Sequence, residues 1–482
     1  MKVLLINTNR EKSPQTVIPL GVCCVASAVE AAGHEVEVLD LCFERKPVTA
    51  VENRGRTMQP DVIGLSIRNL DNCNYMAPHG YLPEVASIVE ACRKASNAKI
   101  VLGGSAVSQA PDAVLAMVGG DFAVVGEGEG AFVELLSSIT LRPHPNPLPQ
   151  ERGLGDVPSL QERKICNGSS HILESILQQL PDPSPSRWLD LRKYRAYDAA
   201  MPVQSKRGCA MKCSYCAYPA LEGSEWRLRE PEWVAGQVVE AKKVGMRMVD
   251  FVDSVFGLPQ HHAIACCKAI ARETNGQMPL STMDLNPLAC TPELIDAMNT
   301  AGFTAVGVTA DSGSGVMLET LQKGFDLSHL KRAADNLRKL DAQKIWIFLL
   351  GAPGENEQTV QDTVRFIEEL PENNLVMITH GIRVLPRTAI QQSLIESGYI
   401  RPDDDLIQPT FYYSPDITPQ QAQDILASCS FPSANIVTLT DGGHKLAPIA
   451  QRVATMLGMK PPYWRHIPII NRVRKMLERW KV

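Results

Sequence analysis

KRGCAMKCSYCAYP, residues 206–219, carries three cysteines in a Cys-x3-Cys-x2-Cys run, at positions 209, 213 and 216. A structural zinc site closes with four ligands, and no fourth cysteine or histidine lies close by in the sequence. A disulfide would use only two of these thiols. A cubic iron–sulfur cluster held by Cys209, Cys213 and Cys216 leaves one iron open, and an open iron can bind a substrate as a chelate. The run therefore favours an iron–sulfur site, and the basic residues beside it offset part of the thiolate charge.

The cysteine run follows the first of six strand patterns that alternate with helical patterns. The predicted strands are Val203–Lys206, Met248–Val252, Pro279–Thr282, Ala305–Thr309, Ile345–Leu350 and Met377–Leu385. The predicted helices between them are Pro231–Val244, Gln260–Thr274, Pro292–Thr300, Leu327–Leu340 and Glu357–Glu369. Six such repeats predict a partial barrel of parallel strands, whose active site lies at the carboxyl ends of the strands. The cysteines stand where that active site is expected.

The first 140 residues form a separate alternating series. The predicted strands are Lys2–Asn7, Glu35–Leu39, Val62–Ile67, Lys99–Leu102 and Phe122–Val125, and the predicted helices are Pro19–Ala32, Leu82–Ala95 and Pro111–Met117. This order predicts an α/β domain with a doubly wound, Rossmann-like parallel sheet, which binds ligands beyond the carboxyl ends of its strands. The loops GLSIRN (64–69), LGGSAVS (102–108) and VGEGEG (125–130) lie there. Their glycines allow a backbone to approach a bulky ligand, and their amides can hold a phosphate.

Composition limits what else the chain can be. It has 482 residues, more than one ordinary core holds, and its formal net charge of −5 does not support nucleic-acid binding. No apolar run reaches the roughly 18–20 residues of a membrane span. Thirteen cysteines without a secretion signal predict reduced thiols in the cytoplasm.

The sequence divides into four predicted parts. The α/β domain occupies 1–140, a Pro/Gly-rich insertion and linker 141–187, the partial barrel 188–400, and a small C-terminal helical region 401–482. The densest Pro/Gly stretch, 142–155, cannot continue a helix or a central strand, and we interpret it as a tolerated insertion. The tail, 461–482, mixes apolar residues at helical spacing with basic ones. It predicts a basic amphipathic helix that either docks on the barrel or makes weak contact with a membrane surface, and only the second alternative hints at a lipid-like substrate.

The cysteine spacing, with the aromatic Tyr215 before the last cysteine, resembles the signature of the radical S-adenosylmethionine (SAM) enzymes. The resemblance implies that the open iron of a [4Fe–4S] cluster chelates the amino and carboxylate groups of SAM. One-electron cleavage of SAM then gives a 5′-deoxyadenosyl radical. Tyr215 would cover the adenine or the cluster. The alternatives are a structural metal site or core cysteines, the role predicted for Cys23, Cys24, Cys92, Cys266 and Cys267.

Further segments of the barrel resemble the same family. DFVDSVFG (250–257) implies Asp253 near the amino group of SAM, and VTADSGSG (308–315) implies SAM contacts by Asp311 and Ser312, with Asp311 where a glutamate is usual. FLLGAPGENEQT (348–359) implies a contact at Gly351, and IRVLPRTAI (382–390) has Arg387 in place of a frequent glycine. Asp253 and Asp311 are alternatively helix N-caps.

The N-terminal series resembles the cobalamin-binding domain that precedes the barrel in many radical SAM enzymes. The resemblance implies that Gly103, Gly104 and Ser105 line the nucleotide tail of cobalamin, and that Ser66 lies near its polar groups. Arg68 and Asn69 would face the cobalt, and the binding set is completed by Gly126 and Glu127. The Asp-x-His-x-x-Gly run that supplies a cobalt-ligating imidazole in mutases is absent, because TNREKSPQTVIPLG (8–21) stands in its place. His34 and His79 are misplaced for that role, so the cobalt is expected to lack a histidine ligand.

Three functions follow from these resemblances. The first is a cobalamin-dependent radical enzyme that uses SAM twice and methylates an unactivated carbon of a small-molecule biosynthetic intermediate. The second is a radical enzyme that uses cobalamin for oxidation, cyclisation or ring rearrangement. The third is a cobalamin sensor, against which the three cysteines argue. Methyl transfer is favoured because it is the commonest chemistry of the family, and it implies an oxygen-sensitive enzyme with an electron donor of the flavodoxin or ferredoxin type.

Overall fold

The N-terminal domain is a doubly wound parallel sheet, as predicted. The computed structural model describes residues 1–12, 15–140, 164–167, 177–432, 435–438 and 463–467. The strands are β1 Lys2–Asn7, β2 Glu35–Asp40, β3 Val62–Ser66, β4 Lys99–Gly103, β5 Phe122–Val125 and β6 Lys164–Asn167, in the order β2-β1-β3-β4-β5-β6. The helices are α1 Leu20–Ala31, α2 Pro47–Met58, α3 Leu82–Ala95, α4 Ser105–Gln109, α5 Pro111–Val118 and α6 Gly128–Thr140. From β1 the chain first adds β2 on one side and then adds β3 to β6 on the other, so the switch point of the sheet lies between β1 and β3. Ligands of such sheets bind at the carboxyl edge near the switch point.

This domain contains elements that the sequence patterns did not predict. Strand β6 lies inside the predicted linker, yet it pairs in parallel with β5, so the sheet extends past residue 140. Helix α2 is polar and contains Gly55, which lowers its intrinsic helix propensity. A Cβ atom at Gly55 would lie 2.6 Å from Cβ of Ala95 on α3, so close packing between the two helices requires the glycine. Tertiary packing therefore decides the structure of α2.

The second domain is an open barrel of seven parallel strands. In sheet order these are β17 Ile436–Thr438, β14 Leu375–His380, β13 Gln343–Leu350, β12 Phe303–Asp311, β11 Leu280–Leu285, β10 Val249–Phe251 and β7 Met201–Val203. The main helices are α10 Pro231–Lys243, α11 Gln260–Thr274, α12 Pro292–Ala301, α14 Leu327–Leu337 and α15 Glu357–Glu369, as predicted to within three residues at either end. Strand β17 comes from the predicted C-terminal region and adds a seventh strand to the six that were predicted.

Two predicted strands are split in the structure. The first ends at Val203, and β8 Lys206–Arg207 turns away to pair antiparallel with β9 Arg227–Leu228. The last ends at His380, and β15 Ile382–Arg383 pairs antiparallel with β16 Phe411–Tyr412. In both places the barrel strand stops, and the chain continues into a short strand of a separate two-stranded antiparallel sheet.

Short helices complete the barrel and connect it to the first domain. They are α7 Pro185–Trp188, α8 Leu191–Arg195, α9 Tyr218–Glu222, α13 Gly315–Thr320, α16 Ala389–Glu396 and α17 Pro419–Ala427. The connecting helices are tied to the first sheet, because Tyr194 donates a hydrogen bond to Asp40 (2.8 Å) and Trp188 Nε1 donates one to Ser27 Oγ (3.0 Å). A continuous apolar core therefore runs from α1 and α6 through this connection into the barrel.

Two predictions fall largely outside the described residues. The insertion at 142–155 is not among them, and the predicted basic helix of the tail is represented only by the 3₁₀ turn Tyr463–His466 and the residue that follows it. Of the helices that the structure describes, none combines the length and the apolar character needed to cross a membrane.

Candidate active site between the two sheets

The three cysteines of the signature run lie on one loop, between β8 and α9. Cys209 is buried, and Cys213 and Cys216 are half-buried. Gly208, just before Cys209, has a positive φ of 86°, and a Cβ atom there would lie 1.9 Å from the carbonyl oxygen of Glu225. Only glycine fits this position. The backbone amide of Cys209 then donates to the carbonyl of Gly223 (3.0 Å), which closes the base of the loop.

The thiols of this loop fit an open iron–sulfur cluster. Burial raises the pKa of all three, and burial together with the nearby thiolates of Cys213 and Cys209 raises that of Cys216 to about 12. Binding of iron would therefore displace a proton from each sulfur. In the described part of the chain, no three His, Cys, Asp or Glu side chains converge on one ion site. A single ion draws its ligands to about 2.3 Å from one point, whereas a cubane spreads three thiolates over three irons.

A buried ion pair lies against the cysteine loop. Lys323 Nζ is 2.8 Å from Asp311 Oδ2, and the hydroxyl of Tyr215 donates to the same carboxylate oxygen. The Lys323 side chain is 4% exposed and its charge favours the thiolates of Cys213 and Cys216. Predicted SAM-binding residues Tyr215 and Asp311 are thus brought together. Lys323 was missed, although it stands in the LQKG segment a few residues beyond VTADSGSG.

Asp253 is bonded to the segment that leads to the cysteines. Its carboxylate accepts hydrogen bonds from the amide of Ser205 (2.7 Å), the hydroxyl of Ser205 (2.6 Å) and Lys206 Nζ (2.9 Å). The side chains of Lys206 and Asp253 are fully buried, at 2% and 0% exposure. Both carboxylate oxygens are therefore engaged by the segment that leads to the cysteines, and Asp253 fixes that segment. The contact of Asp253 with the amino group of SAM stays a prediction. An N-cap role is not observed.

Ser312 and Gly351 also serve packing in this structure. Ser312 is completely buried, and its hydroxyl lies 3.1 Å from Thr363 Oγ1, so its side chain does not face a ligand. Gly351 has a positive φ of 97°, and a Cβ atom there would lie 2.6 Å from the Tyr413 ring. The predicted contact at Gly351 could only come from its backbone, whose amide is already bonded to Glu355 Oε2 (2.7 Å).

The predicted cobalamin residues of the first domain gather at one edge of its sheet. Ser66 ends β3, Gly103 ends β4, and Ser105 begins α4, with its hydroxyl donating to the carbonyl of Arg68. Gly104 has a positive φ of 100°, and a Cβ atom there would lie 2.5 Å from the carbonyl of Ile67. Glycine therefore allows the loops after β3 and β4 to lie flat against each other, and the absence of a side chain at Gly103 and Gly104 leaves room for a large ligand.

A cavity of about 200 Å³ opens at the same edge, beside the switch point of the sheet. Arg68 and Asn69 line it, together with the loop after β1, Thr8–Glu11. Neither of the two histidines considered from the sequence contributes to it. His34 lies at the opposite edge of the sheet, where its Nδ1 is 3.3 Å from the amino-terminal nitrogen of Met1. His79 lies on an exposed loop, where its Nε2 is 3.7 Å from Glu84 Oε1.

Glu127 does not face this edge. Its carboxylate lies 3.4 Å from Arg207 NH1 and 2.6 Å from Arg227 NH2, both of which belong to the β8–β9 hairpin of the barrel. Gly126, the residue before it, keeps a positive φ of 82° and donates its amide to Ser108 Oγ (2.9 Å). The sequence resemblance assigned Glu127 to cobalamin, but its partners are arginines of the second domain.

The carboxyl edges of the two sheets meet. Helix α9, which follows the cysteines, packs against α4, which begins at Ser105. Asp71, in the loop after β3, pairs with Arg383 beyond β14, and Arg387 donates to the carbonyl of Ser108. The cysteine loop and the predicted cobalamin edge therefore border one interface.

Two acidic residues on neighbouring barrel strands were also missed by the sequence patterns. Asp250 accepts a hydrogen bond from Ser281 Oγ (2.6 Å), and burial raises its pKa to about 6. Burial raises the pKa of Asp284 to about 7, and the charges of Asp250 and Asp253 add to this effect. Asp250 begins the segment DFVDSVFG and Asp284 lies two residues beyond the predicted strand Pro279–Thr282, and neither position signals that the two carboxyls lie close together.

Comparison with known proteins agrees with this arrangement. The family model for the B12 binding domain matches residues 6–136, and the model for the radical SAM superfamily matches residues 203–367. Tryptophan 2-C-methyltransferase of Streptomyces laurentii is 24% identical over 450 residues, which cover 82% of this chain and 74% of that protein. Cytidylyl-2-hydroxyethylphosphonate methyltransferase of Streptomyces wedmorensis is 22% identical over 468 residues, which cover 85% and 84%.

The fold is also similar to a solved structure. The radical SAM methyltransferase TsrM from Kitasatospora setae, with cobalamin and a [4Fe–4S] cluster bound, superposes with a TM-score of 0.82 at 22% identity over 99% of both chains. With both domain models matched in this order, the chain belongs to the cobalamin-dependent radical SAM enzymes, whose cofactors are a [4Fe–4S] cluster, SAM and cobalamin.

Proposed function

We propose that the enzyme is a methyltransferase that transfers a methyl group from SAM to an unactivated carbon of a small-molecule biosynthetic intermediate. The observation that carries this proposal is the contact between α9, after the cysteine loop, and α4, at the cobalamin edge. Cys209, Cys213 and Cys216 would hold a cluster that would supply the electron for cleavage of SAM, and the edge beside Arg68 and Asn69 would hold a corrinoid that would carry the methyl group. Both groups would then open on one cavity, where proximity increases the rate and exclusion of water protects a radical.

Residues of this chain prepare the site for charged ligands. The Asp311–Lys323 pair is net neutral and buried, so it places a positive charge beside Cys213 without leaving an unpaired ion in the interior. Tyr215 is held by its hydrogen bond to Asp311, so its ring orientation is fixed next to Cys213 and Cys216. We assign Cys209, Cys213 and Cys216 to the cluster, Tyr215 and Asp311 to the SAM side of the cavity, and Arg68 and Asn69 to the corrinoid side.

We propose only the class of the substrate, a small molecule, because the similar proteins are named for different molecules. One is named for methylating tryptophan and another for methylating a cytidylyl phosphonate. We keep the small-molecule class and propose an electron donor of the flavodoxin or ferredoxin type and a cytoplasmic location. Weak contact of the tail with a membrane surface, and with it a lipid-like substrate, remains the lesser proposal, since that tail lies outside the described residues.

Product analysis tests the proposal. Anaerobically reconstituted enzyme is supplied with cobalamin, a reductant and SAM that carries a deuterated methyl group, and then with metabolite extract from its own host. Methyl transfer predicts a product heavier by one labelled methyl group, together with S-adenosylhomocysteine. The Cys213→Ala variant is the control and should form no labelled product. A converted substrate without the label would instead support oxidation, cyclisation or rearrangement.

A further inference from the structure

Four buried charged side chains join the two domains at the VGEGEG loop. Arg207 NH2 donates to Glu129 Oε1 (2.5 Å), Arg207 NH1 lies 3.4 Å from Glu127 Oε2, and Arg227 NH2 lies 2.6 Å from Glu127 Oε1. The four side chains are between 6% and 9% exposed. Two carboxylates face two guanidinium groups, so the buried cluster is electrically balanced. We call these four residues the interdomain clamp.

The clamp is connected to the iron–sulfur loop through the backbone. Arg207 and Arg227 are paired across the β8–β9 hairpin, so the two arginines have a fixed separation. The next residue, Gly208, lies so close to the carbonyl of Glu225 that a Cβ atom would not fit there, and Cys209 follows directly. Arg207 and the first cluster ligand are therefore separated by a single residue, Gly208, whose amide donates to Glu222 Oε2 (3.3 Å) and whose carbonyl accepts from Ser254 Oγ (3.0 Å).

On the other side the clamp is connected to the cobalamin edge. Gly126, which precedes Glu127, donates its amide to Ser108 on α4, and α4 begins at Ser105 beside the glycine pair of β4. Glu129 lies in the first turn of α6, so its carboxylate is carried by a helix that packs on α1. Burial alone would raise the pKa of Glu129, but the Arg207 guanidinium, with a backbone hydrogen bond and the charge of Arg229, outweighs burial and holds the pKa below its usual range. The carboxylate is therefore ionised when it meets its partner.

We propose that Glu127 and Glu129, held by Arg207 and Arg227, are positioning residues that set the location of the corrinoid relative to the iron–sulfur cluster. A buried pair of this kind adds little stability compared with apolar packing, but it permits one arrangement of the charged groups and penalises others. The interdomain clamp therefore favours one placement of the carboxyl edge of the first sheet relative to the carboxyl edge of the barrel. The proposal needs both cofactors to bind, and it does not depend on whether methyl transfer or another radical reaction follows.

Electron paramagnetic resonance of the holoenzyme tests the proposal. In enzyme that holds Co(II) together with the reduced cluster, the two paramagnets interact through space. The fast electron-spin relaxation of the cluster then increases the relaxation rate of the cobalt signal, and this relaxation enhancement depends on the distance between the two centres. The variant Glu127→Gln/Glu129→Gln keeps the shape of the side chains and removes both charges. We expect it to bind cobalamin and iron at the wild-type ratios and to lose a large part of the relaxation enhancement.

A matched control is the exposed pair between Arg187 of the connection and Glu30 of α1, whose side chains are 58% and 40% exposed. Glu30→Gln also removes a carboxylate between the first domain and the connection, and it should leave the relaxation enhancement unchanged. Unchanged relaxation in the double variant would overturn the proposal, and so would an equal loss in Glu30→Gln.

The single variants cover the case in which the double variant does not fold. Glu127→Gln leaves Arg207 its shorter contact with Glu129, so it should fold, bind both cofactors and show an intermediate relaxation enhancement. If either single variant folds and binds both cofactors with wild-type relaxation, that glutamate does not position the corrinoid. If neither folds, the residues are required for folding and the positioning role is rejected.

Discussion

Arg383 Nε lies 2.6 Å from Asp71 Oδ2, and the two side chains are 5% and 1% exposed. Asp71 belongs to the loop after β3 of the cobalamin domain, and Arg383 belongs to β15 of the barrel. Arg383 also donates to the backbone carbonyls of Leu406 (2.7 Å) and Thr410 (3.3 Å). The loop after β3 is therefore fixed on the barrel by a charge pair that excludes water.

Asp71→Asn should destabilise the protein strongly. The variant leaves the Arg383 guanidinium buried without a counter-charge, which typically costs about 3–5 kcal/mol. Urea unfolding of the protein without cofactors measures the loss. Glu30→Gln, which removes an exposed ion pair, should cost below about 1 kcal/mol. Equal losses in the two variants would show that the Asp71–Arg383 pair is not important for stability.

Replacing any cysteine of the signature loop should abolish cluster binding. Cys209→Ala, Cys213→Ala and Cys216→Ala each remove a thiolate that the other two cannot replace, so iron content and the visible absorption of the cluster should fall. The formation of 5′-deoxyadenosine from SAM should then be lost. Cys429→Ala, at a half-buried position after α17, should retain both. A triple variant that still produces 5′-deoxyadenosine would contradict the assignment.

The cobalt should have no nitrogen ligand from the protein. His34 lies at the edge of the first sheet opposite to Ser66 and Gly103, and His79 lies on an exposed loop. The Co(II) spectrum of bound cobalamin is therefore expected to lack superhyperfine splitting from a nitrogen of the protein. A triplet on the cobalt lines that becomes a doublet when the protein is labelled with nitrogen-15 would reveal a protein ligand and refute this prediction.

Glu355 should make the stability of the protein depend on pH. Its carboxyl is completely buried and accepts the amide of Gly351, and burial raises its pKa to about 7. In the unfolded chain a glutamate titrates near about 4.3. Between these values ionisation favours the unfolded state, so this group lowers stability progressively as the pH rises from about 5 to 8.

Glu355→Gln removes that titration and keeps an oxygen that can accept from Gly351. The melting temperature of the variant should therefore rise relative to wild type as the pH increases from about 5 to 8. Other buried acids, such as Asp284, are present in both proteins and cancel in the difference. A difference that does not change with pH would mean that Glu355 titrates normally.

The sequence predicted the two sheets and the location of the cysteine loop, because strand and helix periodicity and the cysteine spacing are local signals. It placed Val203–Lys206 in one strand, although β7 stops at Val203, because an extended backbone does not reveal where the hydrogen-bonding partner changes. It also assigned Asp253 and Glu127 to ligands, and these assignments stay predictions. It did not show that both carboxylates contact basic side chains, Lys206 and two arginines of the barrel, because these partners are distant in sequence and single-chain patterns do not encode such pairings.

The same reason explains why Lys323 and Arg207 were not recognised as central. Each basic residue was visible in a family-like segment, but its importance comes from burial against Asp311 or against Glu129, which only the folded chain shows. Residues that act through long-range charge pairs are thus the part of the site that sequence reasoning misses most readily.

In the proposed reaction one chain uses SAM both as a methyl donor and as a radical source. The yield of the two co-products during turnover of the natural substrate under anaerobic conditions tests this dual use. Carbon methylation by a radical route predicts S-adenosylhomocysteine and 5′-deoxyadenosine in comparable amounts, each rising in step with methylated product. Substrate conversion with 5′-deoxyadenosine alone would contradict methyl transfer, and methylated product with S-adenosylhomocysteine alone would contradict the radical step.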